Sequence, residues 1–151
     1  MILRKTIFIT AFVFLFSSFC AAQTASKTIT VKSSASVVKS SPAYAELLLR
    51  KVERESEMEE FALDYTDEFP KVQEIKFELG LIAKEINRIS AVSASDADKL
   101  TLALGKMLVR KTEVETDLWN LQKQYAADHP EVRRGKRKVE IFEKAIKEIL
   151  P

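Results

Sequence analysis

The chain has 151 residues, with 24 Lys and Arg against 22 Asp and Glu, one His, one Cys and three Gly. That length holds one modest domain, and the near-balance of charge removes the usual electrostatic case for a nucleic-acid partner. The only cysteine, Cys20, falls within an expected leader, so the mature chain would have no disulfide, no thiolate chemistry and no Cys-ligated zinc.

Arg4 and Lys5 precede an apolar run over residues 7–16, followed by Ser17, Ser18, Phe19, Cys20, Ala21 and Ala22. Charged, apolar and small-residue regions in that order predict a secretory signal over 1–22, with cleavage before Gln23 and a periplasmic or secreted product. The alternative is an N-terminal anchor, but the run is shorter than the roughly 20 residues a spanning helix needs. Lipidation of Cys20 is not expected, because Phe19 and Ser17 stand where a small and a Leu-like residue are wanted. Cleavage would remove two cations and no acid, leaving 22 groups of each sign.

Residues 23–41 are rich in Ser, Thr, Ala, Val and Lys and lack helical periodicity, which reads as a flexible tether. Thr28, Ile29, Thr30 and Val31 alternate, but one short strand has no partner in the rest of the chain. After Pro42 the texture becomes rich in Leu, Glu, Lys and Ala, broken only at Pro70, Pro130 and the Ser-rich segment 90–96. Those breaks predict four helices.

The helices form a repeat with an offset of 60: Leu48, Arg50, Lys51, Glu53, Glu55, Tyr65, Pro70, Val72 and Lys76 return as Leu108, Arg110, Lys111, Glu113, Glu115, Tyr125, Pro130, Val132 and Lys136. Each helix has a heptad seam. The first reads Tyr44, Leu47, Lys51, Arg54, Met58, Phe61, Tyr65; the second Val72, Ile75, Leu79, Ile82, Ile86, Ile89. The third reads Leu104, Met107, Lys111, Val114, Leu118, Leu121, Tyr125, and the fourth Val132, Gly135, Val139, Phe142, Ile146, Ile149.

Proline inside a helix costs about 3 kcal/mol but is well tolerated at its first position, so Pro70 and Pro130 should start helices. The residues before them, Phe69 and His129, are pushed out of the helical region, which leaves short connections and antiparallel neighbours. The expected fold is all-α: two tandem αα-hairpins, 42–92 and 93–151, forming a four-helix bundle or antiparallel coiled coil. Ser95 with Asp98 is the expected cap of the third helix, placing Asp96 and Asp98 at its positive end. Arms of some 25 residues would be nearly 40 Å long, at about 1.5 Å per residue.

Apolar residues crowd the end where the hairpins begin and finish, and charge crowds the tips. The first helix approaches its tip through Glu57, Glu59, Glu60, Asp64, Asp67 and Glu68; the fourth leaves its tip through Arg133, Arg134, Lys136, Arg137 and Lys138. Short loops favour pairing of the two segments within one chain. Pairing between chains would instead set the register of an oligomer.

The inventory is poor in catalytic chemistry. The helix-one carboxylates lack ligand spacing and read as a solvated face. His129 takes the place of Phe69, so it reads as a turn residue rather than a ligand or base. The serines concentrate in the tether and the central link, where no base or oxyanion site is positioned for them. Gly80, Gly105 and Gly135 fall within helical pattern and leave no phosphate-cradling loop. No enzyme activity, cofactor or metal is expected. The cluster 133–138 is the strongest local signal, able to attract anionic polysaccharide or lipid headgroups unless it pairs internally. Trp119, replaced by Glu59 in the first repeat, is a boundary residue or a partner contact.

Tyr65, Phe69, Pro70 and Val72, and more closely Tyr125, His129, Pro130 and Val132, resemble the Tyr-x-x-x-His-Pro-x-Val segment of the periplasmic coiled coils of polysaccharide co-polymerases. The resemblance covers the hairpin tips and their flanking heptads. Members of that family add two transmembrane helices and a mixed α/β base, which this sequence does not display, so chain-length control is not carried over. What the resemblance implies is a bacterial-envelope helical hairpin working by shape and association. The leading functional expectation is a non-enzymatic scaffold or assembly module with a protein partner or itself as partner. The alternatives are a periplasmic holdase chaperone and a binder of anionic envelope polymers through 133–138.

Overall fold

The computed structural model describes residues 34–150, and every regular element among them is helical. The expected leader 1–22, Cys20, the alternating segment 28–31 and most of the expected tether lie outside the described residues. From Ser34 onward the tether expectation is corrected: α1 (Ser34–Lys39) is a short helix, and its Val38 is buried in the core.

The repeat is reproduced in the capping chemistry. α2 (Pro42–Asp64) starts at Ser41, whose hydroxyl accepts the Tyr44 N–H at 3.3 Å, and α4 (Leu102–Gln124) starts at Thr101, whose hydroxyl accepts the Leu104 N–H at 3.2 Å. Both helices end on a tyrosine with φ −131° and ψ 152°, Tyr65 and Tyr125. α3 (Pro70–Ser90) and α5 (Pro130–Ile149) each open on proline, as its fixed φ and missing N–H favour. At 20 to 23 residues the arms are slightly shorter than expected.

The expected cap of the third helix is also corrected. Residues Ala94–Lys99 form a separate 3₁₀ turn in which Ser93 Oγ donates to Asp96 Oδ2 at 2.7 Å and Lys99 pairs with Asp96 at 2.8 Å. Leu100, buried directly ahead of Thr101, pins the chain and hands the capping position to the threonine.

α2 packs on α3 and on α4, α3 packs on α4, and α4 packs on α5, so α4 contacts all three other long helices. Its sequence permits this because it has two inward lines: the expected Leu104, Lys111 and Val114, and a second of Gly105, Leu108, Thr112 and Thr116. The threonine hydroxyls bond back to Val109 O and Thr112 O, which satisfies them without a partner helix. At Gly105 the backbones nearly touch: an added Cβ would stand 2.8 Å from the Ala43 Cα. The apolar core gathers at the end where α2 and α4 begin, from Val38, Ala43, Leu47, Ile82, Ile89, Leu100, Leu104, Leu108, Ile146 and Leu150. Each large side chain there contributes about 1.5–3 kcal/mol of burial.

The α3 seam holds at Val72, Ile75, Ile82 and Ile89, but Glu78 and Glu85 are more buried than Leu79 and Ile86. The cause is ionic. Arg50 Nε on α2 donates to Glu78 Oε1 at 2.8 Å and Arg54 adds a contact at 3.4 Å, while Lys111 Nζ on α4 donates to Glu85 Oε1 at 2.7 Å. Two carboxylates one heptad apart thus tie α3 to different helices.

Candidate functional site

α5 owes its basic outer face to its inner one. Val132 and Gly135 turn toward α4 and are buried, and the missing side chain of Gly135 lets the helix lie against Leu118, whose Cδ1 would be 3.0 Å from an added Cβ. At 3.6 residues per turn, Arg133, Arg134, Lys136, Arg137 and Lys138 are then all directed outward, and all are exposed. Arg134 pairs with Glu131, one turn earlier, at 2.7 Å. Among the described residues the other four cations make neither an ion pair nor a side-chain hydrogen bond.

The acidic stretch of α2 is elsewhere. Glu57 pairs with Arg54 and, at 3.4 Å, with Lys71; Asp67 pairs with Lys76 at 2.8 Å. Glu59, Glu60, Asp64 and Glu68 are exposed and make no ion pair among the described residues. The expectation that this stretch neutralises the α5 cluster within one chain is therefore corrected. α2 packs on α3 and α4 while α5 packs mainly on α4, so α4 stands between the two charged stretches and they do not pair.

The tips are built alike. Phe69 N–H donates to Thr66 O and His129 N–H to Ala126 O, each at 3.0 Å. The Tyr65 and Phe69 rings stack with centroids 4.0 Å apart, and Tyr125 and His129 with centroids 4.2 Å apart. His129 Nδ1 accepts the Glu131 N–H at 3.3 Å, which gives this imidazole a capping role. Pro70 and Pro130 are exposed at the first helical positions.

Trp119 is partly buried and engaged within the chain. It stacks on Phe77 of α3 with centroids 4.7 Å apart, and Lys123 Nζ lies 3.3 Å from its ring centroid. Asn120 Nδ2 donating to Glu74 Oε2 at 2.6 Å and Lys123 donating to Gln73 at 3.3 Å complete a clamp between α3 and α4 near the tips.

Sequence reading missed two things. Glu78 and Glu85 are buried but fall outside the heptad seams, although their one-heptad spacing opposite Arg54 and Lys111 in neighbouring seams was a usable signal. Leu49 and Ile141 belong to the apolar crowding legible at the open end, but Val52 and Leu63, which extend that exposed apolar line along α2, were missed. Among the described residues no group of His, Cys, Asp and Glu is arranged to hold a metal ion, and no helix is long and apolar enough to cross a membrane. No family model, curated protein or solved structure matches this chain.

Proposed function

We propose that the chain is an exported, non-enzymatic helical module that acts as an envelope scaffold, joining an assembly through the outer face of α5. One observation carries this reading: Arg133, Lys136, Arg137 and Lys138 are exposed on one short stretch of helix and have no counter-charge among the described residues. Such a concentration of like charge on a preorganised helix raises the local potential and favours an anionic partner surface. A holdase needs seams open to a client, and the burial of Ile75, Ile82, Ile89, Leu104 and Leu108 argues against that use. Binding of an anionic envelope polymer is the second reading, favoured by the same unpaired cations, and it predicts steep loss of binding with salt.

The test is to express the chain and its variant with Arg133→Gln, Arg134→Gln, Arg137→Gln and Lys138→Gln in an exporting cell. Gently extracted envelope fractions are then resolved by size. The chain is expected in the envelope fraction as part of a large assembly, and the variant there as free protein. Recovery of both as free protein, or of both in the cytoplasm, would overturn the reading.

A further inference from the structure

We propose that the partner of the α5 face is the outer face of α2 on a second copy of this chain. The inference rests on the scaffold reading and deepens it by naming the occupant. α2 has, beside the seam it buries, a second line at Ala45, Leu49, Val52, Ser56, Glu59 and Leu63, spaced 4, 3, 4, 3 and 4, and every member is exposed. Such spacing is that of a coiled-coil face, and among the described residues nothing covers it. Leu49, Val52 and Leu63 are 56%, 53% and 86% exposed. α5 has the matching line Arg134, Arg137, Ile141, Lys144 and Glu148, spaced 3, 4, 3 and 4, again all exposed, with Ile141 at 62%.

The two lines are complementary when run antiparallel. Placing Val52 opposite Ile141 puts Ser56 opposite Arg137, Glu59 opposite Arg134, Glu60 opposite Arg133 and Leu49 along the Lys144 stem. The acidic half of α2 then covers the basic half of α5, and the apolar half covers Ile141. The parallel alternative would bring Leu49 and Val52 against Arg134 and Arg137, and along the two lines only Glu59, opposite Lys144, would be matched in charge. Because α2 ends at its hairpin tip and α5 begins at its own, antiparallel docking leaves both copies pointing the same way. The contact joins unlike faces, so each copy keeps one face free after docking, and addition continues until a ring closes or a filament grows.

The experiment uses the purified exported chain in sedimentation velocity at about 20 mM and about 500 mM salt, where screening lengths differ several-fold. Concentration-dependent association is expected at low salt, weakened about tenfold or more at high salt. Two charge-reversed chains supply the decisive arm: Glu59→Lys with Glu60→Lys, and Arg133→Glu with Arg137→Glu. All four positions are exposed, and circular dichroism checks that both variants fold. Each variant alone should stay monomeric, because its two faces now repel, while an equimolar mixture should associate, since the reversed α2 of one variant meets the reversed α5 of the other and the two unreversed faces match as in the wild type.

A wild-type chain that stays monomeric at low salt, reversals that leave association unchanged, or a folded mixture that does not associate would each overturn the proposal. A monomeric wild type that binds heparin, used as a probe polyanion, and loses it on reversal of Arg133 and Arg137 would overturn self-docking while leaving the scaffold reading standing.

Discussion

Lys111 Nζ donates to Glu85 Oε1 at 2.7 Å, with Lys111 only 3% and Glu85 only 1% exposed, so a full ion pair bridges α4 and α3 inside the bundle. Taking both charges out of water costs several kcal/mol, and their attraction together with Glu143 and Arg88 at 3.1 and 3.7 Å offsets it. The pair's value is therefore one of matching. Glu85→Leu or Lys111→Met alone should destabilise by about 3–5 kcal/mol, because each leaves the other buried charge with only longer contacts to more exposed groups, Lys111 with Glu143 or Glu85 with Arg88. The double replacement should be neutral or stabilising by about 1–4 kcal/mol. Urea unfolding of the three variants checks this, and a double variant as unstable as the sum of the singles would exclude it.

The three glycines separate three cases that sequence alone cannot. Gly105→Ala drives a Cβ to 2.8 Å from the Ala43 Cα, which is backbone and cannot swing aside, so α2 must move off α4. A loss of about 1–3 kcal/mol is expected. Gly80→Ala meets nothing within 4 Å on an exposed helical position and should gain about 0.5–1 kcal/mol. Gly135→Ala meets Leu118 Cδ1 at 3.0 Å, the far end of a side chain that can rotate, and should fall between the two. Thermal unfolding midpoints should rank Gly80→Ala, wild type, Gly135→Ala and Gly105→Ala in descending order.

The ranking shows what was legible in the sequence and what was not. Pro70, Pro130, Tyr65 and Tyr125 announce the hairpins because proline chemistry and helix stops are local. The line through Val72, Ile75, Ile82 and Ile89 is legible because its period is local too. The breadth of α4 was hidden, since its second inward line consists of Gly105, Thr112 and Thr116 beside Leu108, small or hydroxylated residues that periodicity assigns to solvent. Thr101 as cap was legible in principle, because Ser41 stands 60 positions earlier, but Ser95 offered an equally good local pattern. Whether the charged stretches of α2 and α5 meet depends on how the hairpins dock around α4, which no local rule encodes.

Acid and base limits follow from the same ionic contacts. Burial pushes Glu143 up, but the hydrogen bond and charge of Lys111, with Arg88, outweigh it and hold the carboxyl below its ordinary 4.5. Glu74 is lowered in the same way, burial being outweighed by hydrogen bonds from Lys71 and Asn120. Lys111 moves the other way: burial opposes its charge, and hydrogen bonds to Glu85 and Glu143 more than restore it, so it is raised above 10.5. Depressed carboxylates add stability that is complete above their unfolded value and lost as pH falls through the folded one; a raised lysine adds stability that is complete below its unfolded value and lost as pH rises through the folded one. The unfolding midpoint should therefore be level between about pH 5 and pH 10 and fall outside that range. Glu143→Gln should make the acid limb shallower, and an unchanged acid limb would show that these contacts do not set it.

The Tyr125 and His129 stack makes a last prediction about the only imidazole in the chain. Its counterpart in the first hairpin is Phe69, stacked on Tyr65 at nearly the same spacing, 4.0 Å against 4.2 Å, and the turn hydrogen bonds match at 3.0 Å. A planar ring before proline is what the turn needs. His129→Phe loses only the exposed Nδ1 acceptor for the Glu131 N–H, which water replaces, and should change stability by less than about 0.5 kcal/mol. His129→Ala removes the stack and should cost about 0.5–1.5 kcal/mol. If His129→Phe instead abolished envelope association while leaving the unfolding midpoint unchanged, the imidazole itself would be a contact residue and the tip would join the α5 face as a binding surface.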